Sequence, residues 1–187
     1  MAVAAMVVPV YATEDNGRLD FLGQTLNSVE RQTHHGTVGV VVDDGSSVDV
    51  QGFMIERGYK KSRYVRRERQ PEDLKTASNA INVGLNLSLA RSGDVFTSKE
   101  REELVAIGLV HSDDLVPYAS VEKRLAQLGG TDSFVFGNVA SIDSSERFLG
   151  ASKWEGNLPL LQGAYFPNHT IIWTLPFLQK LQKMSPR

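Results

Sequence analysis

The sequence predicts a layered α/β domain built on a mainly parallel sheet, and three observations predict it. Short apolar runs recur along the chain, of the kind a strand carries when both of its faces are covered. Segments with apolar residues at helical spacing alternate with them. Two of the runs are followed closely by acidic pairs, Asp43-Asp44 and Asp113-Asp114, as strands are when they enter polar turns.

Val3 to Val10 is the first run and ends at Pro9-Val10-Tyr11. Leu19, Leu22, Leu26 and Val29 then predict an amphipathic helix packed on the sheet. Val38 to Val42 is β-branched and stops at Asp43-Asp44-Gly45-Ser46, which predicts a strand and a sharp turn. Val48 to Gly58 reads as a short helix, and Arg63 to Arg67 as a weak strand centred on Tyr64 and Val65. Ala77, Ile81, Leu85 and Leu89 fall four apart and predict a helix whose apolar stripe they form. In the polar stretch Arg91 to Glu103, Thr97 and Glu100 have capping-box spacing. Leu104 to Val110 is another buried-type strand, stopped by His111-Ser112-Asp113-Asp114. Leu115 to Leu128 reads as a helix, Phe134 to Ile142 as one strand, Ile142 to Phe166 as a loop, and Leu175 to Lys183 as a terminal helix after the apolar run Thr170 to Trp173. For 187 residues a single domain is the default.

With 41% hydrophobic and 22% charged residues the composition is that of an ordinary soluble globular protein. A formal net charge of -2 supplies no field that would recruit nucleic acid, so no nucleic-acid partner is expected. The absence of cysteine excludes a disulfide framework, a thiolate metal site and a cysteine nucleophile, and accords with a reducing, cytoplasmic location. Met1 to Val8 is apolar but stops at Pro9 without a basic leader, which is too short for a membrane span and unlike a secretion signal. The basic run Lys60 to Arg69 has two readings. It is either a holder of phosphates or of an anionic membrane surface, which leaves peripheral contact with the inner face of a membrane open, or a solvated edge strand.

In open parallel sheets ligands gather at the carboxyl ends of the strands, where side chains leave the core. Three such ends carry distinctive residues: Pro9-Val10-Tyr11 with Glu14 nearby, Asp43-Asp44-Gly45-Ser46, and Ser112-Asp113-Asp114. Adjacent carboxylates repel unless a cation, hydrogen-bond donors or solvent share the charge, and hard divalent cations prefer oxygen ligands of this kind. Taken alone, each pair reads equally well as a solvated turn or a helix N-cap.

Four blocks together carry a resemblance. Val7-Val8-Pro9-Val10-Tyr11, Val40-Val41-Val42-Asp43-Asp44-Gly45-Ser46, Ala80-Ile81-Asn82-Val83-Gly84 and Ser112-Asp113-Asp114 occur in the order and approximate spacing of family-two glycosyltransferases. The chain resembles that family over about residues 3 to 128 and, less closely, to about 183. The resemblance implies a GT-A-like three-layer sandwich with helices on both faces of a mainly parallel sheet, in which residues 1–128 bind the donor and residues 129–187 form part of the acceptor side. It implies a UDP-, GDP- or dTDP-sugar donor, a Mn²⁺ or Mg²⁺ ion, and transfer to a hydroxyl of a saccharide or lipid-linked acceptor.

Position by position, the resemblance implies that Pro9, Val10 and Tyr11 shape the base pocket, with Glu14 and Asn82 in the nucleotide-binding set. Asp44 would accept a hydrogen bond from the base while Asp43 supports its turn, Asp113 would meet the ribose or metal-bound water, and Asp114 the metal. The chain departs from the family pattern at His111, which replaces the first acid of an Asp-x-Asp-Asp motif, and at Ile81, which replaces an arginine. Lys75, Arg69 or Arg67 would then supply that positive charge. No catalytic base is assigned, because the chain ends at Arg187 about where the family's base is expected; Asp143, Glu146 and Glu155 are the carboxylates of the acceptor-side loop, each read more simply as surface. Trp154 and Tyr165 are candidates for stacking on a sugar, and Asn168-His169 for the acceptor side. A non-catalytic module that keeps the nucleotide pocket without a base is the alternative. A dinucleotide oxidoreductase is disfavoured because no Gly-x-Gly-x-x-Gly follows the first strand.

Overall fold

A computed structural model describes residues 1–70, 77–128, 134–136, 139–142, 148–152 and 171–184. In chain order the elements are β1 (Val3–Val10), α1 (Arg18–Glu30), β2 (Thr37–Asp44), α2 (Val50–Arg57), β3 (Ser62–Arg67), α3 (Ser78–Leu89), α4 (Ser98–Glu103), β4 (Leu104–Leu109), α5 (Ser120–Gln127), β5 (Phe134–Phe136), β6 (Val139–Ile142), β7 (Phe148–Ser152), β8 (Ile171–Thr174) and α6 (Leu175–Met184).

The main sheet has the order β3-β2-β1-β4-β8-β5. Strands β1 to β4 run parallel, and β8 joins β4 and β5 antiparallel. β1 and β2 are buried along their whole length, as their near-continuous apolar runs require. Successive side chains of β1 face opposite layers. Met6 and Val8 pack with Leu22, Leu26 and Val29 of α1, Met54 of α2 and Val121 of α5. Ala5 and Val7 pack with Ala80 of α3, Phe96, and Leu175 and Leu178 of α6. Helices therefore cover both faces, and each leucine fully withdrawn from water contributes about 1.5–3 kcal/mol.

Four expectations are corrected. The most deeply buried residues of α3 are Ala80, Gly84 and Ser88, whereas Ile81, Leu85 and Leu89 of the expected stripe pack against the same core half-buried, and Ala77 is half-buried at the helix start. A Cβ on Gly84 would overlap Val7 Cγ1, so the small residues let the helix approach the sheet more closely than a large apolar stripe would. The predicted helix from Leu115 shortens to α5, starting at Ser120. Pro117 disfavours helical backbone in the residue before it, and the Val116 and Pro117 carbonyls accept from Gln32 Nε2 at 3.1 and 3.0 Å. The strand expected over Phe134 to Ile142 divides into β5 and β6, which belong to different sheets. β7, within the expected loop, pairs antiparallel with β6; its Phe-Leu-Gly-Ala-Ser sequence lacks the β-branched run that marks a strand.

Elsewhere the local chemistry matches the structure. α4 carries the Thr97–Glu100 capping box, with Thr97 N donating to Glu100 Oε2 at 2.8 Å and Glu100 N to Thr97 Oγ1 at 3.2 Å. β3 is one of the two edge strands of the main sheet, β5 the other.

Candidate functional site

The β1–β4 ladder stops at Val7 and Leu109, whereas the β1–β2 ladder continues to Val10 and Asp43. Pro9 has no N–H with which to extend pairing, so β1 and β4 part at their carboxyl ends. A pocket of about 980 Å³ opens there. Pro9, Val10 and Tyr11 line it at the end of β1. Asp44, Arg69 and Gln70 line it on the β2 side, Ala77 and Ala80 come from the start of α3, and His111, Ser112 and Asp113 from beyond β4. Asn16 and Arg18 complete the lining from the start of α1.

On the β2 side the acids are neutralised by register. β2 and β3 pair so that Asp43 faces Arg66 and Asp44 faces Arg67. Asp43 has no exposed surface and accepts from Ser46 N at 2.8 Å, Tyr64 Oη at 2.7 Å and Arg66 Nη1 at 3.1 Å. Burial, and then the bond to Asp43, hold the Tyr64 phenol above its ordinary pKa, so it stays a donor. Asp44 is ion-paired with Arg67, and Arg69 Nε stands 4.0 Å from its other oxygen. Gly45 takes a left-handed φ of 75°, the conformation the turn requires and glycine adopts freely. Ser46 Oγ accepts from Ala12 N at 2.8 Å, tying the β2 turn to the loop after β1. The Arg69 guanidinium lies 4.8 Å from the centre of the Tyr11 ring, within cation–π range.

On the β4 side a polar face of α1 holds the loop. Thr25 Oγ1 donates to the Asp114 carbonyl at 2.9 Å, Ser28 Oγ accepts from Val116 N at 3.0 Å, and Gln32 bonds the backbone of Val116, Pro117 and Val121. Asp113 is thereby presented to the pocket, where it is ion-paired with Arg18. Asn16 fixes the loop before α1, its Nδ2 donating to the Tyr11 carbonyl at 3.1 Å and its Oδ1 accepting from Thr13 N and Arg18 N.

Of the residues singled out from sequence, Pro9, Val10, Tyr11, Asp44 and Asp113 come together in the lining. Asp43 lies beneath it as a buried support. Asp114 follows Asp113 outside the lining, half-buried, and Glu14 and Asn82 are exposed outside it. Lys75, Asp143, Glu146, Trp154, Glu155, Tyr165, Asn168 and His169 fall outside the described residues. Among the described residues no three histidine, aspartate or glutamate side chains gather as a ready-made metal cage, and no helix is long and apolar enough to cross a membrane. Sequence reading missed Arg18, Asn16 and Tyr64. The Asn16-Gly17 dipeptide was a visible turn signal, but nothing local pairs Arg18 with Asp113 or Tyr64 with Asp43.

The family model described as Glycosyl transferase family 2 matches residues 6–178. The chain belongs to glycosyl transferase family 2. Among solved structures it is similar to TarS 1-349 of S. aureus, at 15% identity and a TM-score of 0.57, covering 96% of this chain and 49% of that one. It is also similar to 4-diphosphocytidyl-2C-methyl-D-erythritol synthase, at 13% identity and a TM-score of 0.54, covering 100% of this chain and 82% of that one. At these identities the likeness is one of fold, and the three layers are those of the GT-A fold shared by family-two members. The chain spans about half the length of the TarS structure it matches. No curated protein sequence matches it.

Proposed function

We propose that this chain binds a nucleoside-diphosphate sugar in the pocket at the ends of β1, β2 and β4, as the donor-binding part of a glycosyltransferase. The sugar passes to a hydroxyl of a saccharide or lipid-linked acceptor. The observation that carries this reading is the lining itself: Tyr11, Asp44 and Asp113 converge on one pocket at the carboxyl end of a parallel sheet, in a chain of family two. Tyr11 offers its ring to the base, and Asp44 accepts a hydrogen bond from the base edge. Asp43 keeps the Asp44 turn in shape, and Asp113 accepts from a ribose hydroxyl.

The donor set also fits Mn²⁺ or Mg²⁺. Such ions take one or two carboxylates and complete their shell with phosphate oxygens and water, so Asp113, which lines the pocket, and Asp114, beside it outside the lining, would hold the ion without a three-residue cage, of which there is none among the described residues. When bound, the ion supplies neutralising charge to the leaving diphosphate. Removal of the acceptor proton needs a base within hydrogen-bond reach, and that residue is not assigned.

Calorimetry on the full chain with UDP, GDP and dTDP, with and without Mn²⁺, tests the reading. One nucleotide is expected to bind, Asp44→Asn to weaken it by about tenfold, equivalent to ~1.4 kcal/mol, and Asp114→Ala to abolish the Mn²⁺-dependent part. Absence of binding to all three overturns the proposal. Binding without transfer or hydrolysis of the matching nucleotide sugar points instead to a module that only holds the donor.

A further inference from the structure

Among the described residues the pocket lining holds two aspartates and two arginines, Asp44 and Asp113 with Arg18 and Arg69. Each aspartate meets an arginine, but the two arrangements differ. Asp44 is buried at the end of β2, and its partner Arg67 is delivered by the β2–β3 register. Arg18 and Asp113 come from α1 and from the loop after β4, and their side chains are 38% and 44% exposed. Water screens such a pair, so it adds little to the stability of the fold.

Arg18 is also a poor choice for the helix it begins. It occupies the first position of α1, where the positive end of the helix dipole disfavours a cation, and Gly17 before it provides no side-chain cap. A cation placed against the helix's own preference, lining a cavity and balanced by one exposed carboxylate, is suited to exchanging that carboxylate for another anion.

We infer that Arg18 receives the diphosphate of the donor, which takes the place of its partner Asp113. This rests on the reading of the pocket as a nucleotide-sugar site. The sheet order sets the direction of the ligand. β2 and β4 flank β1, and paired strands lie about 4.8 Å apart, so with β1 and β4 parting their ends stand at least roughly 10 Å apart. A base held by Tyr11 and Asp44 sits on the β2 side, and its phosphates extend to the β4 side, where Arg18 lines the wall. A guanidinium offers parallel N–H donors that match two phosphate oxygens. The exchange keeps Arg18 paired throughout and frees Asp113 for a ribose hydroxyl or a cation.

The test compares a nucleoside diphosphate with its own nucleoside, UDP with uridine or GDP with guanosine, by calorimetry on the full chain. Arg18→Gln is expected to weaken the diphosphate by about tenfold or more while changing nucleoside binding by less than about twofold. Arg18→Lys, which keeps the charge without the fork, falls between. Thermal melts confirm that the variants fold. Equal losses of nucleoside and diphosphate would mark a merely structural role and overturn the assignment, as would unchanged diphosphate binding. A wild-type chain that binds neither compound removes the donor reading and this assignment together, whereas wild-type binding that survives Arg18→Gln removes this assignment alone.

Discussion

Asp43 and Asp44 are adjacent, yet only Asp44 lines the pocket, because successive residues of a strand face opposite sides. Asp43 faces inward with no exposed surface, and a carboxylate so placed is tolerated only when donors surround it. Tyr64 is one of its three donors. Replacing it with phenylalanine leaves one oxygen less satisfied, and Tyr64→Phe is expected to cost about 1–2 kcal/mol, read from the urea midpoint at unchanged slope. The pH dependence has a definite sign. The folded-state pKa of Tyr64 is raised above its ordinary 10.0, so its contribution is fully present below pH 10 and fades as the pH rises through the folded value. Wild type therefore loses stability above pH 10 by a component that Tyr64→Phe lacks, and parallel losses in the two proteins would contradict this role.

Among the elements, α3 and α1 place the pocket walls by different means. α3 buries Ala80, Gly84 and Ser88 most deeply, and the absence of a side chain on Gly84 lets the helix rest on Val7 and Val42. Gly84→Ala gains about 1 kcal/mol of helix propensity but meets an overpacking cost of about 1–3 kcal/mol against a central strand. Net destabilisation is expected. Val7→Ala in the same chain opens the space the new methyl needs, so the double variant should lose less stability than the sum of the single losses. Additive losses would mean that the helix shifts away without touching Val7. α1 acts through hydrogen bonds instead, since Thr25, Ser28 and Gln32 bind the backbone of the loop that carries Asp113. That loop is thus built into the molecule, although its sequence suggested the start of a helix.

For the whole molecule, a ligand that binds only the folded chain must stabilise it. At a hundredfold excess over Kd the gain is about 2.7 kcal/mol, which for a domain of this size raises Tm by roughly 5–10 °C. The nucleotide selected by calorimetry is expected to produce such a shift, and its nucleoside at equal saturation a comparable one; a ligand whose saturation leaves Tm unmoved binds the unfolded chain equally well. Much of this architecture was legible in the sequence. The strands β1, β2 and β4, the helix α1, the α4 capping box and the Asp43-Asp44-Gly45-Ser46 turn rest on near-neighbour patterns of hydrophobicity, turn chemistry and capping, and such patterns are present in the chain before it folds. The same patterns placed Tyr11, Asp44 and Asp113 at strand ends. What only the tertiary structure decided lies in pairings between distant residues: Arg66 and Arg67 against the acids of β2, Arg18 against Asp113, the small-residue face of α3, and the division of β5 from β6. Those depend on strand register, sheet order and the closeness of helix packing, which arise from the fit of many side chains at once and leave no local period in the sequence.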